Sequence, residues 1–285
     1  MKRIGFLLLS LLALSFNGYA QHALCGDVNG DLEVTISDIN SVINIILDEG
    51  DIIAAADVNN DGEVTISDIN AIIGIILGGG YGGGSEDGVV DLGLPSGTLW
   101  ATCNVGADAP EEYGDFFAWG ETAPKDYYDW STYQWCNGSQ YALTKYCAFT
   151  GYGDNGFADF KTELDLEDDA AYVNMGASWR TPSFEQMQEL IEHCTMVFTQ
   201  RNGVRGCLVI GPNDNTMFLP AAGNRWQNEH GDEGLYGIYW TSMCHYNDPF
   251  YAFFFNFDTD DRTFSNDFNY RSFGFTVRPV RASRD

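Results

Sequence analysis

A chain of 285 residues with 41 acidic and 14 basic side chains carries a formal net charge of −27. Such an excess repels phosphate backbones and anionic lipid surfaces, which argues against nucleic acid or an acidic membrane as a partner. The cysteines, at 25, 103, 136, 147, 194, 207 and 244, form no C-x-x-C pair and no Cys/His cluster of zinc spacing, so a transition-metal site is not expected. Buried free thiols are the default, and one or two disulfides among the last six cysteines stay open.

In chain order, Lys2 and Arg3, the apolar run from Ile4 to Leu14, and the small residues Gly18 and Ala20 predict a secretory signal over residues 1–20, cleaved near Ala20. The expected destination is secreted or cell-surface. The apolar run is too short to span a bilayer and no later stretch is a candidate, so no membrane span is expected. His22-Ala23-Leu24 before Cys25 is a poor lipobox, which speaks against a lipid anchor.

One pattern is then written twice, DVNGDLEVTISDINSVINIIL from Asp27 and DVNNDGEVTISDINAIIGIIL from Asp57. Asp27, Asn29, Asp31, Glu33 and Asp38 align without a gap on Asp57, Asn59, Asp61, Glu63 and Asp68. A hard cation is held by about six to eight oxygens, supplied from loop positions 1, 3, 5, a carbonyl at 7 and a carboxylate at 12. On that template Glu33 and Glu63 contribute backbone oxygen, and the pair of loops predicts two calcium ions. A single match could be an ordinary Asx turn; two in register are a stronger signal. At position 6 the second loop has Gly62 but the first has Leu32, so the first site is expected to be weaker.

Each loop runs into an apolar stripe of helical spacing: Ile39, Val42, Ile43 and Ile46, then Ile69, Ile72, Ile73 and Ile76. An EF-hand also needs a helix entering the loop, and too few residues precede Asp27 after signal cleavage, so the unit is loop-then-helix. Over residues 25–77 this duplication resembles the dockerin domain. The resemblance implies two bound calcium ions and docking on a cohesin-like receptor. It also implies recognition through Ile36 and Ser37 and their counterparts Ile66 and Ser67, whose identity permits two orientations related by a half turn. The competing reading is that Ile36 and Ile66 seal the module's small core.

Residues 78–88, GGGYGGGSEDG, read as a flexible glycine tether between two independently folded parts. Residues 89–282 suit one domain of short strands and long loops. A helix is predicted over the segment FEQMQELIEHC from Phe184, with Thr181 as cap and Pro182 in its first turn. Residues 251–257 and 274–280 read as strands, the second closing a sheet near the chain end.

The phrases VDLGLPSGTLWATCNVGA, GDFFAWGET, WRTPSFEQMQEL, FLPAAGNRW, YWTSM and GFTVRPV, in that order, resemble the Fibrobacter-type major paralogous domain, related to C-type lectins and formylglycine-generating enzymes. The fold class implied for the whole chain is α+β, a small all-α repeat module followed by a C-type-lectin-like mixed domain. The reactive cysteine pair of the related enzymes is missing from the last strand, and so are the E-P-N, Q-P-D and W-N-D phrases of calcium-dependent lectins.

Two acid runs, Asp258, Asp260 and Asp261, and Asp165, Glu167, Asp168 and Asp169, are expected to be solvated turns rather than catalytic pairs. His193, His230 and His245 have no nucleophile at a telling spacing and read as packing or surface residues. Trp100, Trp119, Trp179 and Trp240 are expected in the core and Trp130, Trp135 and Trp226 nearer the surface. Aromatics beside amides make Trp226, Asn228, Tyr246 and Asn247 the candidate ligand contacts, for a glycan or another cell-surface ligand. The sequence thus points to a non-catalytic docking and binding protein. Its rivals are an enzyme component of a polysaccharide-degrading complex and a structural surface adhesin.

Overall fold

The computed structural model describes residues 26–31, 34–48, 55–58, 63–76 and 88–281. The signal segment, Cys25, Leu32, Glu33, Asn59, Asp61, Gly62 and residues 78–87 of the tether lie outside these. In the repeat module each loop leads directly into a helix, α1 (Ile36–Asp48) and α2 (Ile66–Ile76), and the two helices pack together. Val42 and Ile72, at matching positions of the apolar stripes, are fully buried between them.

The larger domain begins with β1 (Val89–Asp91) and β2 (Leu99–Ala101). Its long middle stretch holds isolated bridges and short 3-10 turns, and leads to α3 (Ala170–Met175) and α4 (Phe184–His193). Then β3 (Thr195–Arg201), β4 (Val204–Ile210) and β5 (Thr216–Pro220) make one antiparallel sheet in the order β3-β4-β5. A hairpin of β6 (Asn224–Trp226) and β7 (Glu229–Gly231) precedes the second large sheet. That sheet, in the order β10-β9-β8, is built from β8 (Tyr236–Cys244), β9 (Tyr251–Asp258) and β10 (Thr263–Tyr270). The expected closing strand shrinks to β11 (Val280–Arg281), which pairs with β2 and brings the two ends of the domain together.

Strands β8 and β9 are buried on both faces. On one side Tyr239, Phe255 and Phe257 meet Trp100, Met187, Leu190 and the inner residues Cys207 and Val209 of β4. On the other, Trp240 and Phe254 meet Phe117, Trp119 and Phe275. The four tryptophans assigned to the core, Trp100, Trp119, Trp179 and Trp240, are between 0% and 7% exposed. Trp130, Trp135 and Trp226 are half-buried.

Two further expectations change in the structure. The cap of α4 is Ser183, not Thr181: Ser183 Oγ accepts from Gln186 N, and the Gln186 side chain accepts from Ser183 N, a reciprocal capping box. Thr181 is taken instead by Asp169, which accepts its N–H at 3.0 Å and its hydroxyl at 2.7 Å and also caps α3. The acid run over 165–169 is therefore only partly a solvated turn. Asp169 is 3% and Asp168 4% exposed, and Asp168 accepts from the Lys145 ammonium at 2.6 Å and from the Tyr146 hydroxyl.

The two parts of the chain, read from the tether as independently folded, meet in the structure. The outer face of the β3-β4-β5 sheet presents Val197, Leu208 and Ile210, and these join Val42, Ala71 and Ile72 in one apolar cluster. Residues 206–209 of β4 are buried on both faces, so that sheet needs a cover on its outer side as well as a core on its inner one. The helix pair supplies it.

Candidate functional site

In the first loop Asp38, at position 12, reaches back across the loop. Its Oδ1 accepts from Val28 N at 2.8 Å and Asn29 N at 3.1 Å, and its Oδ2 from Thr35 N at 2.8 Å. Asp27 Oδ1 accepts from Gly30 N and Asp31 N, at 2.8 and 3.1 Å, and Gly30 takes the positive φ of 76° that this turn requires. Asn29 donates from Nδ2 to Asp31 Oδ2 at 2.9 Å. The second loop repeats the closure, Asp68 accepting from Val58 N at 2.8 Å and Thr65 N at 2.7 Å.

Asp38 and Asp68 are both 0% exposed and Asp27 is 3% exposed. No lysine or arginine occurs between Arg3 and Lys125, so the module has no basic side chain of its own to set against these carboxylates. Burying a carboxylate is costly unless its charge is compensated. The hard carboxylate and amide oxygens of Asp27, Asn29, Asp31 and Asp38, gathered in the first loop, are of the chemistry that suits calcium. Among the described residues no three Asp, Glu, His or Cys groups form a finished metal centre, and Glu33, Asn59 and Asp61 lie outside them.

The helix starts are exposed. Ile36 is 67% and Ile66 71% exposed, which places both outside the module's core rather than sealing it. Ser37 and Ser67 beside them are also exposed. Residues 25–77 match the family model of the dockerin type I domain. This is a calcium-binding, docking-type module. No curated protein and no solved structure matches the chain.

The two repeats of the dockerin-type domain differ in their surroundings. Ser67, Asn70 and Ala71 of the second line a cavity of about 320 Å³ whose far wall is His193, Thr195 and Pro212 of the larger domain. None of that wall is formed by Ile36 or Ser37 of the first repeat.

In the larger domain the candidate ligand residues are separated. Trp226 lines a cleft of about 410 Å³ between the β6–β7 hairpin and one face of β8-β9-β10. The hairpin is held in place at its tip, where Gln227 exchanges backbone hydrogen bonds of 2.8 and 2.9 Å with Tyr128. At its base a Cβ on Gly223 would sit 2.1 Å from the Gly231 carbonyl oxygen, so only glycine allows this approach. Asn228 lies at the exposed turn of the hairpin. Tyr246 stacks on His245, which packs on Phe253 and Phe268, and those alternate to the opposite sheet face from Phe254 and Asn269 in the cleft. Tyr246 and its neighbour Asn247 are thus not brought to Trp226.

What the residue pattern did not single out are the amides of the cleft, Asn224, Asn256 and Asn269, and the ring of Phe273. A signal existed for two of them: strict alternation puts Asn224 on the side of Trp226, and Asn256 on the side of Phe254. Phe273 stacks on Trp226 with ring centroids 4.4 Å apart and planes 17° from parallel. A hydrogen bond to the Asp258 carboxylate pushes the Tyr236 hydroxyl pKa up and keeps it protonated at the cleft rim.

The other candidate chemistry is structural. Cys103, Cys136, Cys147, Cys194, Cys207 and Cys244 are all free, and burial pushes the Cys194 thiol up to about 12 and Cys244 up to about 11, away from the nucleophilic thiolate. Asp258 caps the β9–β10 turn by accepting from Asp260 N and Asp261 N. His230 bonds the Ala222 carbonyl oxygen through Nε2, and His193 is exposed. Among the described residues no helix is long and apolar enough to cross a membrane.

Proposed function

We propose that this is a secreted or cell-surface, non-catalytic protein of two modules. The dockerin-type domain over residues 25–77 holds two calcium ions through Asp27, Asn29, Asp31, Asp38 and the corresponding residues of the second loop. It docks on a cohesin-like receptor. The domain over 89–282, whose phrases resemble lectin-like domains, binds a glycan or another surface ligand for which the docking module provides the anchor.

The observation that carries this reading is the juxtaposition at the helix starts. The exposed pairs Ile36-Ser37 and Ile66-Ser67 sit directly beside the buried loop-closing Asp38 and Asp68, so an ion that orders the loop also fixes the surface a receptor would meet. In a retention assay on cohesin-bearing extracellular scaffolds, Asp27→Ala with Asp57→Ala is expected to lose both calcium and receptor. Ile36→Asp with Ile66→Asp is expected to lose the receptor and keep the calcium. An isoleucine double variant that docks like the parent sinks the recognition surface, and release of sugar from plant polysaccharide by the purified chain would replace the non-catalytic reading with an enzyme component.

A further inference from the structure

The cleft beside Trp226 is a built cavity whose chemistry restricts what can enter it. Its volume of about 410 Å³ falls in the range of ligand pockets, about 300 to 1,000 Å³. Its lining includes the carboxylates Glu229 and Asp232 and contains no lysine, arginine or histidine. Anionic ligands are repelled there, all the more by a chain of net charge −27.

The amides decide between a neutral and a cationic occupant. Asn269 Oδ1 already accepts from Tyr270 N at 2.7 Å, and Asn256 Oδ1 from the Ser265 hydroxyl at 2.8 Å, which leaves the Nδ2 groups of both to donate. Asn224 spends Nδ2 on Asp232 Oδ2 at 2.6 Å and keeps its carbonyl oxygen to accept. An ammonium group has only donors and would meet acceptors in Glu229, Asp232 and the Asn224 carbonyl oxygen but none in the two amide NH2 groups, whereas a hydroxyl both donates and accepts and can use all of these groups. Beside these amides stands an apolar plane: Phe273 lies flat against Trp226, holding its ring in place, and both line the cavity. Flat aromatic surface edged by mixed donors and acceptors matches the C–H face and the rim hydroxyls of a sugar ring.

We propose that this cleft binds a neutral saccharide chain, with Trp226 as the packing surface and Asn224, Asn256 and Asn269 as the hydrogen-bonding groups. It does so by direct contacts, without a metal in the cleft. The assignment rests on the reading of the larger domain as a ligand-binding module and names its site and ligand class.

The test is affinity electrophoresis of the full chain, with calcium throughout, in gels containing soluble β-glucan, xylan, galactomannan or polygalacturonate, alongside titration with oligolysine. Retardation is expected in at least one neutral polymer and not in polygalacturonate. Trp226→Ala and Asn256→Ala should each weaken it roughly tenfold, the scale of one lost packed or hydrogen-bonded contact. Asn256 is half-exposed, so its variant keeps the fold and covers the case in which Trp226→Ala disturbs the packing on Phe273. Retardation unchanged in both variants would move the ligand off the cleft while leaving a saccharide-binding domain. Absence of retardation in all three neutral polymers overturns the saccharide assignment, and absence of oligolysine binding as well removes the ligand-binding reading with it. Oligolysine binding that is lost in the Trp226 variant would replace it with a cationic peptide. Receptor retention, read separately, is untouched by any of these outcomes.

Discussion

The repeat module and the larger domain differ in what meets their buried charges. In the module, carboxylates are sunk into the fold: Asp38 and Asp68 are fully buried and close their loops on backbone N–H groups. The larger domain buries carboxylates too, but beside donors of its own, Lys145 for Asp168 and Thr181 for Asp169, and it also buries cations: Arg271 and Arg278 are fully buried, and Arg278 donates to Asn104 Oδ1 and to the carbonyl oxygens of Ala101, Thr102 and Phe218. The Arg278 guanidinium is met by protein oxygen at Nε and at both terminal nitrogens, in a domain whose core of Trp100, Trp240 and Phe255 already removes much apolar surface from water. A unit of some fifty residues has little apolar area, so under the proposed reading it needs an ion to offset what its buried carboxylates cost. Metal dependence should divide the chain along this line.

Chelation is the largest expected effect and the sharpest way to break the comparison. All seven tryptophans lie in the larger domain, from Trp100 to Trp240. Removing calcium should abolish the helical far-ultraviolet signal of α1 and α2 while the near-ultraviolet tryptophan signal persists. It should also raise binding of an apolar dye as Val197 and Leu208 lose their cover. Collapse of both signals at one chelator concentration would show a single cooperative unit instead.

The seam between the parts can be measured with Leu208→Ala. Leu208 is 2% exposed, and truncating a buried leucine costs about 2 to 5 kcal/mol. That loss is expected in calcium and should shrink markedly in chelator, where the residue is already wetted; equal destabilisation in both conditions would mean the helices contribute nothing to its burial. Smallest is Ser183→Ala, which removes the α4 cap and should lower the melting stability of the larger domain by about 1 kcal/mol whether or not calcium is present. A calcium-dependent loss there would contradict the division between the two regions.

Docking itself offers a finer version of the same contrast. The repeats are identical at Ile36-Ser37 and Ile66-Ser67, yet only Ser67 lines the cavity against the larger domain. Under the proposed docking role, Ile36→Asp alone is expected to weaken receptor binding more than Ile66→Asp alone, because a receptor seated on the second repeat meets the larger domain. Equal losses in single-variant titrations would restore the two orientations to equivalence.

Legibility followed the range of the interactions. The loop closures could be read because a repeated spacing inside one loop is a local property, and the two helices because their stripes are periodic. The start of α4 slipped from Thr181 to Ser183 because Asp169, on the other side of α3, takes both polar groups of Thr181. A longer separation hid the burial of Asp168, whose partners Lys145 and Tyr146 lie more than twenty residues away. Trp226 and Tyr246 looked alike, each an aromatic beside amides, until sheet alternation placed them on different sides of β8-β9-β10.

By itself the sequence determined the duplicated loop-and-helix unit and the tryptophan core, since each depends on residue type and short spacing, and it left open whether Ile36 and Ile66 face outward. Only the tertiary structure decided that the helix pair covers β3-β4-β5, and that Asn224, Asn256, Asn269 and Phe273 meet at one cleft. Those residues come from separate strands and a loop, and their convergence depends on how the sheets and the β6–β7 hairpin pack, which no local pattern encodes.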